Sequence, residues 1–313
     1  MCIEIDLEQD FKNILLSHYL SASNLKKRYD IELPSKQQRE LENMNATDLL
    51  HSYLNFRKRL LCCGKQQIYI SRELRKNPLY RKFHSQISKI KNIFINGSLI
   101  RPYLSNQINE FISPKAKDNL LMDWGLHHIH LFPTKKREGK PDNYLLFIMQ
   151  KNDSVYFIDI LTHQDFVNYN LLQIIYNNWK SALDNMKVSG IHPDVLTENE
   201  FKNLRKNGVA YTIGFEKDVD YAYATNINSI KMITAIDRIF LCLEQLQQKI
   251  LNAEKNIRQQ LNIDADKTLS IHLDMQNNIF IIKEDYSNSR ILFNNDKEIR
   301  EFNELFNYTV KFI

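Results

Sequence analysis

The stretch that decides the fold runs from Trp124 to Phe166 and reads WGLHHIHLFPTKKREGKPDNYLLFIMQKNDSVYFIDILTHQDF. It contains three runs rich in apolar, β-branched and aromatic residues, at 125–132, 144–149 and 155–161, which is the composition of strands. The residues between the last two runs, Lys151-Asn152-Asp153, tolerate tight turns. The block therefore predicts three strands, and the nearly all-apolar third run is expected to be central and buried.

Helical patterns lie on both sides of this block. Apolar residues at helical spacing predict several helices before it, including a basic helix over 79–94, and a long helix over about 231–260 after it. Residues 269–273 and 279–283 predict a β-hairpin. The predicted class is α+β, with a helical N-terminal region, a central, mostly antiparallel sheet, and a C-terminal long helix plus hairpin. The predicted regions are 1–117, 118–230 and 231–313.

The composition indicates a soluble globular protein. The chain has 313 residues, of which 43% are hydrophobic and 25% charged, so it can build a sizeable core. No run approaches the roughly 20 apolar residues needed to cross a bilayer, and the acidic N-terminus lacks the apolar run of a signal peptide. The four cysteines form no CxxC pair. We therefore expect a cytoplasmic protein with no membrane contact.

The positive charge is concentrated between residues 57 and 91, where Glu73 is the only acid. The cations there are Arg57, Lys58, Arg59, Lys65, Arg72, Arg75, Lys76, Arg81, Lys82, Lys89 and Lys91. Such a segment favours contact with a polyanion, and Arg81, Lys82 and Lys89 are candidate substrate-binding residues. A solvated helical face would show the same pattern.

Three histidines occur in the first predicted strand. Alternation along a strand places His128 and His130 on one face and His127 on the other. His128 and His130 could then contact one phosphate, one metal ion or one substrate. His163 follows the third strand, and Asp159 lies inside it, where an unpaired carboxylate is costly to bury. Asp159 is expected either to be paired structurally or to belong to the site.

The loop between the first two strands supplies cations. Lys135 and Lys136 are candidates for binding phosphate, and Arg137 is a candidate catalytic residue that stabilises negative charge in the transition state. Histidine suits proton transfer near neutral pH, and an RNA substrate brings its own nucleophile, the 2′-hydroxyl. Metal-free RNA cleavage would then use His128, His130, His163 and Arg137, with no cofactor.

The last two strands and the residues that follow them resemble a known family. Asn143–Phe147, Val155–Ile160 and Leu161–Phe166 resemble the C-terminal sheet of RelE/HigB-type mRNA interferase toxins, in which a strand ends in Thr-His followed by an aromatic residue. Thr162, His163 and Phe166 match that motif, whereas the strand arginine of the family falls at Leu145. The resemblance implies an endoribonuclease toxin or phage-defence effector. RNA, including ribosome-associated mRNA, and a neutralising antitoxin or other regulatory protein are the implied partners.

Two other functional classes fit the same residues. The basic segment could serve a non-catalytic module that binds nucleic acid or protein within a toxin-antitoxin or defence system. Alternatively, the histidine cluster with His163 and Asp159 could ligate zinc or manganese in a metal-dependent hydrolase. Adjacent strand residues diverge, so only His128 and His130 would join one ion easily.

Overall fold

The computed structural model resolves two compact units, which are described separately. Unit 1 comprises Met1–Arg57 and Lys231–Ile313, and unit 2 comprises Lys58–Ile230. The structure describes residues 3–61, 64–105, 108, 119–133, 144–162, 170–192, 197, 199–200, 203–204, 207, 209, 211–216, 219–225, 227–277, 279–284, 290–292 and 297–312. The division into regions 1–117, 118–230 and 231–313 stays a prediction. The two ends of the chain share unit 1.

Unit 1 packs helices against a four-stranded sheet. Its strands are β1 (Ile3–Ile5), β9 (Leu269–Gln276), β10 (Ile279–Glu284) and β11 (Arg290–Leu292), and they lie in the order β1-β9-β10-β11. Its helices are α1 (Leu7–Ile14), a π-helical turn (Leu15–Tyr19), α2 (Ala22–Tyr29), α3 (Ser35–Glu42), most of α4 (Ala46–Arg59), most of α10 (Ile227–Leu261) and α11 (Lys297–Phe312). The predicted long helix and C-terminal hairpin are present as α10 and β9–β10.

Phenylalanines from three parts of the chain build the core of unit 1. The Phe11 ring of α1 lies 5.8 Å from Phe280 of β10, 5.6 Å from Phe302 and 5.7 Å from Phe306, measured between ring centroids. All four side chains are at most 1% exposed. Edge-on aromatic packing of this kind adds to the free energy gained by burying the rings. This packing joins the N-terminal segment to the C-terminal one.

Unit 2 is built on the sheet that contains the three predicted strands. Its strands are β2 (Gln67–Ile70), β3 (Leu126–His130), β4 (Tyr144–Lys151), β5 (Ser154–Thr162), and the short β6 (Lys187–Ser189), β7 (Thr212–Ile213) and β8 (Tyr221–Ala224). Its helices are α5 (Arg72–Lys76), α6 (Pro78–Lys82), α7 (His84–Asn96), α8 (Asn119–Trp124) and α9 (Asn170–Trp179). Turns of 3-10 helix cover Arg101–Tyr103 and Lys180–Met186.

The main sheet of unit 2 has the order β2-β5-β4-β3. β3, β4 and β5 are antiparallel neighbours, and Asn152 has a left-handed φ of 54° in the turn between β4 and β5. β2 adds to β5 in parallel, which makes the sheet mixed. The α+β class is confirmed, as is the central and buried position of β5. The three short strands form a second sheet of order β6-β8-β7.

The two faces of the main sheet are covered by different helices. Leu145 and Phe147 of β4 belong to a buried cluster that includes residues of α8 and α9. Phe157 of β5 meets Phe94 of α7, with ring centroids 6.1 Å apart. A β-bulge between Phe147 and Ile148 shifts the β4–β5 register. The sheet is therefore buried on both faces, which explains the long apolar runs in its strands.

The predicted basic helix over 79–94 is interrupted. Phe83 leaves helical geometry at φ −107° and ψ 21°, so α6 ends at Lys82 and α7 begins at His84. The Phe83 side chain is only 4% exposed. Burial of this ring at the junction accompanies the break that the helical spacing did not predict.

Candidate functional site

His128 and His130 project from the same face of β3. His128 pairs with Phe147 and His130 with Leu145, and both partners face the cluster beneath α9. His130 is buried at 6% exposure, and the His128 ring lies 6.4 Å from that of Phe147. His127 pairs with Ile148 and lies on the opposite face. The alternation that predicts a shared face for His128 and His130 is correct, and that face is the one covered by α8 and α9.

One end of the main sheet brings together the ends of three strands. His130 is the last residue of β3, Tyr144 the first of β4 and Thr162 the last of β5. Tyr144 and Thr162 are paired across the two strands, and His130 pairs with Leu145, the neighbour of Tyr144. Antiparallel pairing therefore places the end of β3 and the end of β5 on either side of the start of β4.

Aromatic side chains and a lysine surround this end. The Phe83 ring lies 5.5 Å from the Tyr144 ring and 6.3 Å from the Phe132 ring. The Lys82 ammonium lies 5.3 Å from the centroid of Phe83 and 5.7 Å from that of Tyr144. Both distances are within the range of cation–π attraction. We refer to Lys82, Phe83, Phe132 and Tyr144 as the sheet-end cluster. His130 ends β3 at the same sheet end but pairs with Leu145, so it projects from the face opposite to Tyr144.

The three described candidate cations are exposed. Arg81 and Lys82 lie in the last turn of α6, and Lys89 lies in the middle of α7. Lys82 is the one whose contacts place it in the sheet-end cluster. Arg81 precedes it directly, whereas Lys89 lies seven residues further along the chain, in α7. The break at Phe83 therefore assigns the predicted cations to two helices instead of one basic face.

Asp159 is paired structurally. Its Oδ1 accepts hydrogen bonds from Asn77 Nδ2 at 2.7 Å and from Ile160 N at 2.8 Å. Asn77 in turn caps α6, because its Oδ1 accepts from Leu79 N at 2.9 Å. Burial raises the pKa of the Asp159 carboxyl, and the hydrogen bond from Asn77 opposes that shift. The carboxyl thus links β5 to the start of the helix that carries Lys82.

A buried serine fixes the preceding turn. Ser71 follows β2, is fully buried, and donates from its Oγ to the carbonyl of Ile158 at the bulge in β5. The same oxygen accepts from Leu74 N at 2.8 Å and so caps α5. Ser71 N continues the parallel ladder by donating to Phe157 O at 3.0 Å. Together Ser71 and Asn77 fix the path of the chain from β2 through α5 to α6.

The remaining predicted site residues lie outside the described residues. These are Lys135, Lys136, Arg137 and His163. The chain leaves the described part after Pro133 and returns at Tyr144, and it leaves again after Thr162. Pro133 follows Phe132 of the sheet-end cluster, and Thr162 pairs with Tyr144, so both ranges end beside that cluster.

The metal alternative concerns the same histidines. Within the described ranges, no group of three or more His, Cys, Asp or Glu residues could hold a metal ion. His163, which that alternative requires, is not in those ranges. No helix among the described residues is both long and apolar enough to span a bilayer.

Sequence reasoning missed the aromatic residues of the site. The helical spacing over 79–94 places Phe83 on the apolar face of one continuous helix, and the apolar run at 144–149 places Tyr144 at the start of a strand. The dipeptide Asn77-Pro78 indicates where α6 begins, since an asparagine cap followed by proline marks the first turn of a helix. The contact of Lys82 with Tyr144 has no such local signal, because the two residues are 62 positions apart in the chain.

In comparisons with known proteins, no family model, curated protein or solved structure matched this chain. The resemblance to the interferase toxins therefore rests on the residues quoted for it above.

Proposed function

We propose that unit 2 binds RNA at the sheet-end cluster and cleaves it without a metal. The observation that carries the proposal is the position of Lys82. Its ammonium lies against Phe83 and Tyr144 at the end of the sheet where His130 completes β3. A cation beside partly exposed aromatic rings is the combination with which proteins bind single-stranded RNA.

The ligand follows from the chemistry of these groups. Lys82 and Arg81 are exposed cations that can pair with successive phosphates. Tyr144 and Phe132 are partly exposed, so their rings can stack against unpaired bases. Base stacking on an aromatic ring contributes about 1–3 kcal/mol and depends little on sequence. Lys89, Lys135 and Lys136 extend the proposed phosphate contacts.

The proposed reaction is an intramolecular transesterification. A histidine removes the proton of the ribose 2′-hydroxyl, whose oxygen attacks the adjacent phosphorus while the bond to the 5′-oxygen breaks. A second histidine gives its proton to that oxygen, which leaves a 2′,3′-cyclic phosphate and a 5′-hydroxyl. We assign proton transfer to His130 and His163, the histidines nearest the sheet end in the chain, with His128 supporting His130 and Arg137 stabilising the charged transition state.

The biological setting is part of the proposal. By its resemblance, the protein is a toxin or phage-defence effector of the cytoplasm, with mRNA as substrate and an antitoxin or other regulatory protein as partner. Purification of the chain with its neighbouring gene product tests this setting. A stable complex that suppresses RNA cleavage supports it, and a neighbour with no effect on cleavage contradicts it.

Cleavage of a labelled RNA in EDTA tests the reaction. The wild type should cleave, and His130→Ala and His130→Gln should both lose cleavage while retaining binding. Lys36→Ala, which removes an exposed lysine of unit 1 with 85% side-chain exposure, is the charge-matched control. Undiminished cleavage by both folded His130 variants would contradict the assignment. Cleavage that requires added zinc or manganese would favour the metal-dependent hydrolase.

Non-catalytic RNA binding is the second candidate function. The burial of His130 favours it, because a side chain that is 6% exposed reaches a scissile phosphate only if neighbouring groups move. Binding without cleavage by the wild type, weakened by Lys82→Ala, would select this candidate. Both candidate functions require RNA binding that Lys82→Ala weakens, so only the cleavage assay distinguishes a ribonuclease from a non-catalytic RNA-binding protein.

A further inference from the structure

Ser270, His272 and Asp10 form a hydrogen-bonded chain in unit 1. Ser270 Oγ lies 3.0 Å from His272 Nε2, and His272 Nδ1 lies 3.5 Å from Asp10 Oδ1. The two ring nitrogens therefore face a hydroxyl on one side and a carboxylate on the other. This is the order of groups through which a histidine activates a serine nucleophile.

The local fold accounts for the arrangement. Ser270 and His272 are two residues apart on β9, so both project from the same face of the sheet. β1 pairs with β9 only as far as Ile5↔Ile271 and then gives way to α1. Asp10 of α1 takes over at that point, because its Oδ2 accepts from Leu273 N at 2.9 Å. One carboxylate oxygen is thus anchored to the strand, and the other is directed at the imidazole.

The exposure of the three groups suits a nucleophile. The His272 side chain is 41% exposed and Ser270 is partly exposed, whereas the Asp10 side chain is 18% exposed. Solvent and small substrates can therefore reach the hydroxyl and the imidazole. Burial raises the pKa of the Asp10 carboxyl, and the Leu273 amide and then His272 oppose the shift.

Other charged groups lie around the imidazole. Lys283 of β10 pairs with His272 across the sheet, and its ammonium is bonded to Asp274. Glu4 of β1 pairs with Ser270, and Asp6 acts electrostatically on Asp10. Ser270, His272 and Asp10 therefore lie among charged groups of both signs.

We propose that Ser270 is the nucleophile of a second active site, which takes carboxylic esters. Ser270 Oγ attacks the ester carbonyl while His272 Nε2 accepts its proton, and that proton then passes to the departing alcohol. Water attacks the resulting acyl-serine, His272 takes its proton, and the carboxylic acid and free serine are released. Asp10 is a positioning residue that holds the imidazole with Nδ1 as donor. The site is in unit 1 and does not depend on the proposed RNA site.

Covalent labelling tests this proposal on the intact protein. A fluorophosphonate probe should form a phosphonyl bond to Ser270 Oγ with loss of fluoride, and peptide mass spectrometry locates the modified residue. Ser23, an exposed serine at the start of α2, is the internal control. The expected result is modification at Ser270 in excess over Ser23. Equal modification of the two, or none at Ser270, would overturn the proposal without reference to any variant.

Variants assign the roles of the other two residues. His272→Ala should slow labelling of Ser270 by at least about tenfold, and added imidazole should restore part of the rate. Asp10→Asn keeps an acceptor for Leu273 N, so the variant is expected to fold. It should label more slowly, and the ring-nitrogen NMR signals of His272 should lose the tautomer protonated at Nδ1, because the asparagine amide presents a donor to that nitrogen. A folded Asp10→Asn variant with an unchanged labelling rate and an unchanged His272 tautomer would remove Asp10 from the site.

Discussion

Asp159 and Asn77 are joined by a 2.7 Å hydrogen bond that connects the last part of β5 to the cap of α6. Asn77 Nδ2 also donates to Ile160 O at 3.2 Å, while its Oδ1 caps the helix through Leu79 N. Lys82 lies in the last turn of that short helix. The position of the lysine at the sheet end therefore depends on a contact between residues 82 positions apart.

Asp159→Asn should stabilise the protein at neutral pH. Burial raises the pKa of Asp159, so the folded state favours the neutral carboxyl. The resulting stabilisation is complete below the ordinary aspartate pKa of about 3.8 and is lost as the pH rises through the raised folded value. Asparagine keeps the acceptor for Asn77 and carries no charge. Thermal unfolding should show a higher midpoint for the variant at neutral pH and a difference that narrows on acidification. A destabilised variant at neutral pH would show that the ionised carboxylate is required.

Asn77→Ala should destabilise unit 2 by about 1–3 kcal/mol. The substitution removes the α6 cap and leaves Asp159 without its side-chain donor. Urea unfolding measures the free energy of unfolding. Asn92→Ala, at an exposed position of α7, is the control and should change it by less than about 0.5 kcal/mol. Equal effects of the two substitutions would contradict the role assigned to Asn77.

Glu216 should titrate well below an ordinary glutamate. Hydrogen bonds from Tyr176, Tyr221 and Lys180 lower the pKa of its carboxyl to about 2. Any stability it contributes is therefore present above the ordinary value and lost as the pH falls through about 2. Carboxyl NMR titration should give this midpoint, and Tyr176→Phe and Tyr221→Phe should each raise it. Tyr308→Phe, which alters an exposed tyrosine of unit 1, should leave it unchanged. A midpoint that neither phenylalanine substitution moves would refute the hydrogen-bond network.

Phe147→Ala should be among the most damaging substitutions in unit 2, costing about 3–5 kcal/mol. The Phe147 ring is fully buried opposite His128 in the cluster beneath α9. The free energy of unfolding from urea titration provides the measurement. Phe132→Ala, at a partly exposed ring of the sheet-end cluster, should cost less than half as much. A larger loss of unfolding free energy in Phe132→Ala than in Phe147→Ala would show that the sheet end is packed more tightly than the face covered by α9.

The sequence was sufficient to predict the regular parts of the fold. Local periodicity predicts the three strands of the central block and the long helix α10. It also predicts that His128 and His130 share one face of their strand. Local patterns do not contain the pairing of β1 with β9 or of β2 with β5, because each joins segments far apart in the chain. This is also why the N-terminal and C-terminal regions were predicted as separate parts.

The candidate site was only partly predictable for the same reason. Alternation gave the shared face of His128 and His130, but not that Leu145 and Phe147 turn this face toward α9. Helical spacing predicts that Arg81, Lys82 and Lys89 are exposed on one helix. It does not predict that the helix breaks at the buried Phe83, nor that Lys82 lies against Tyr144. Burial and chain breaks of this kind are set by tertiary packing, which overrides local propensity.

Photocrosslinking of a 4-thiouridine RNA to the wild-type protein, with the modified residues mapped by mass spectrometry, shows whether RNA binds at the sheet-end cluster. We expect crosslinks at Tyr144, Phe132 or Lys82, which lie where the aromatic rings and the ammonium meet. These crosslinks should be lost in Lys82→Ala and retained in Lys36→Ala. Crosslinks confined to unit 1, or none at all, would show that RNA does not bind at the sheet-end cluster.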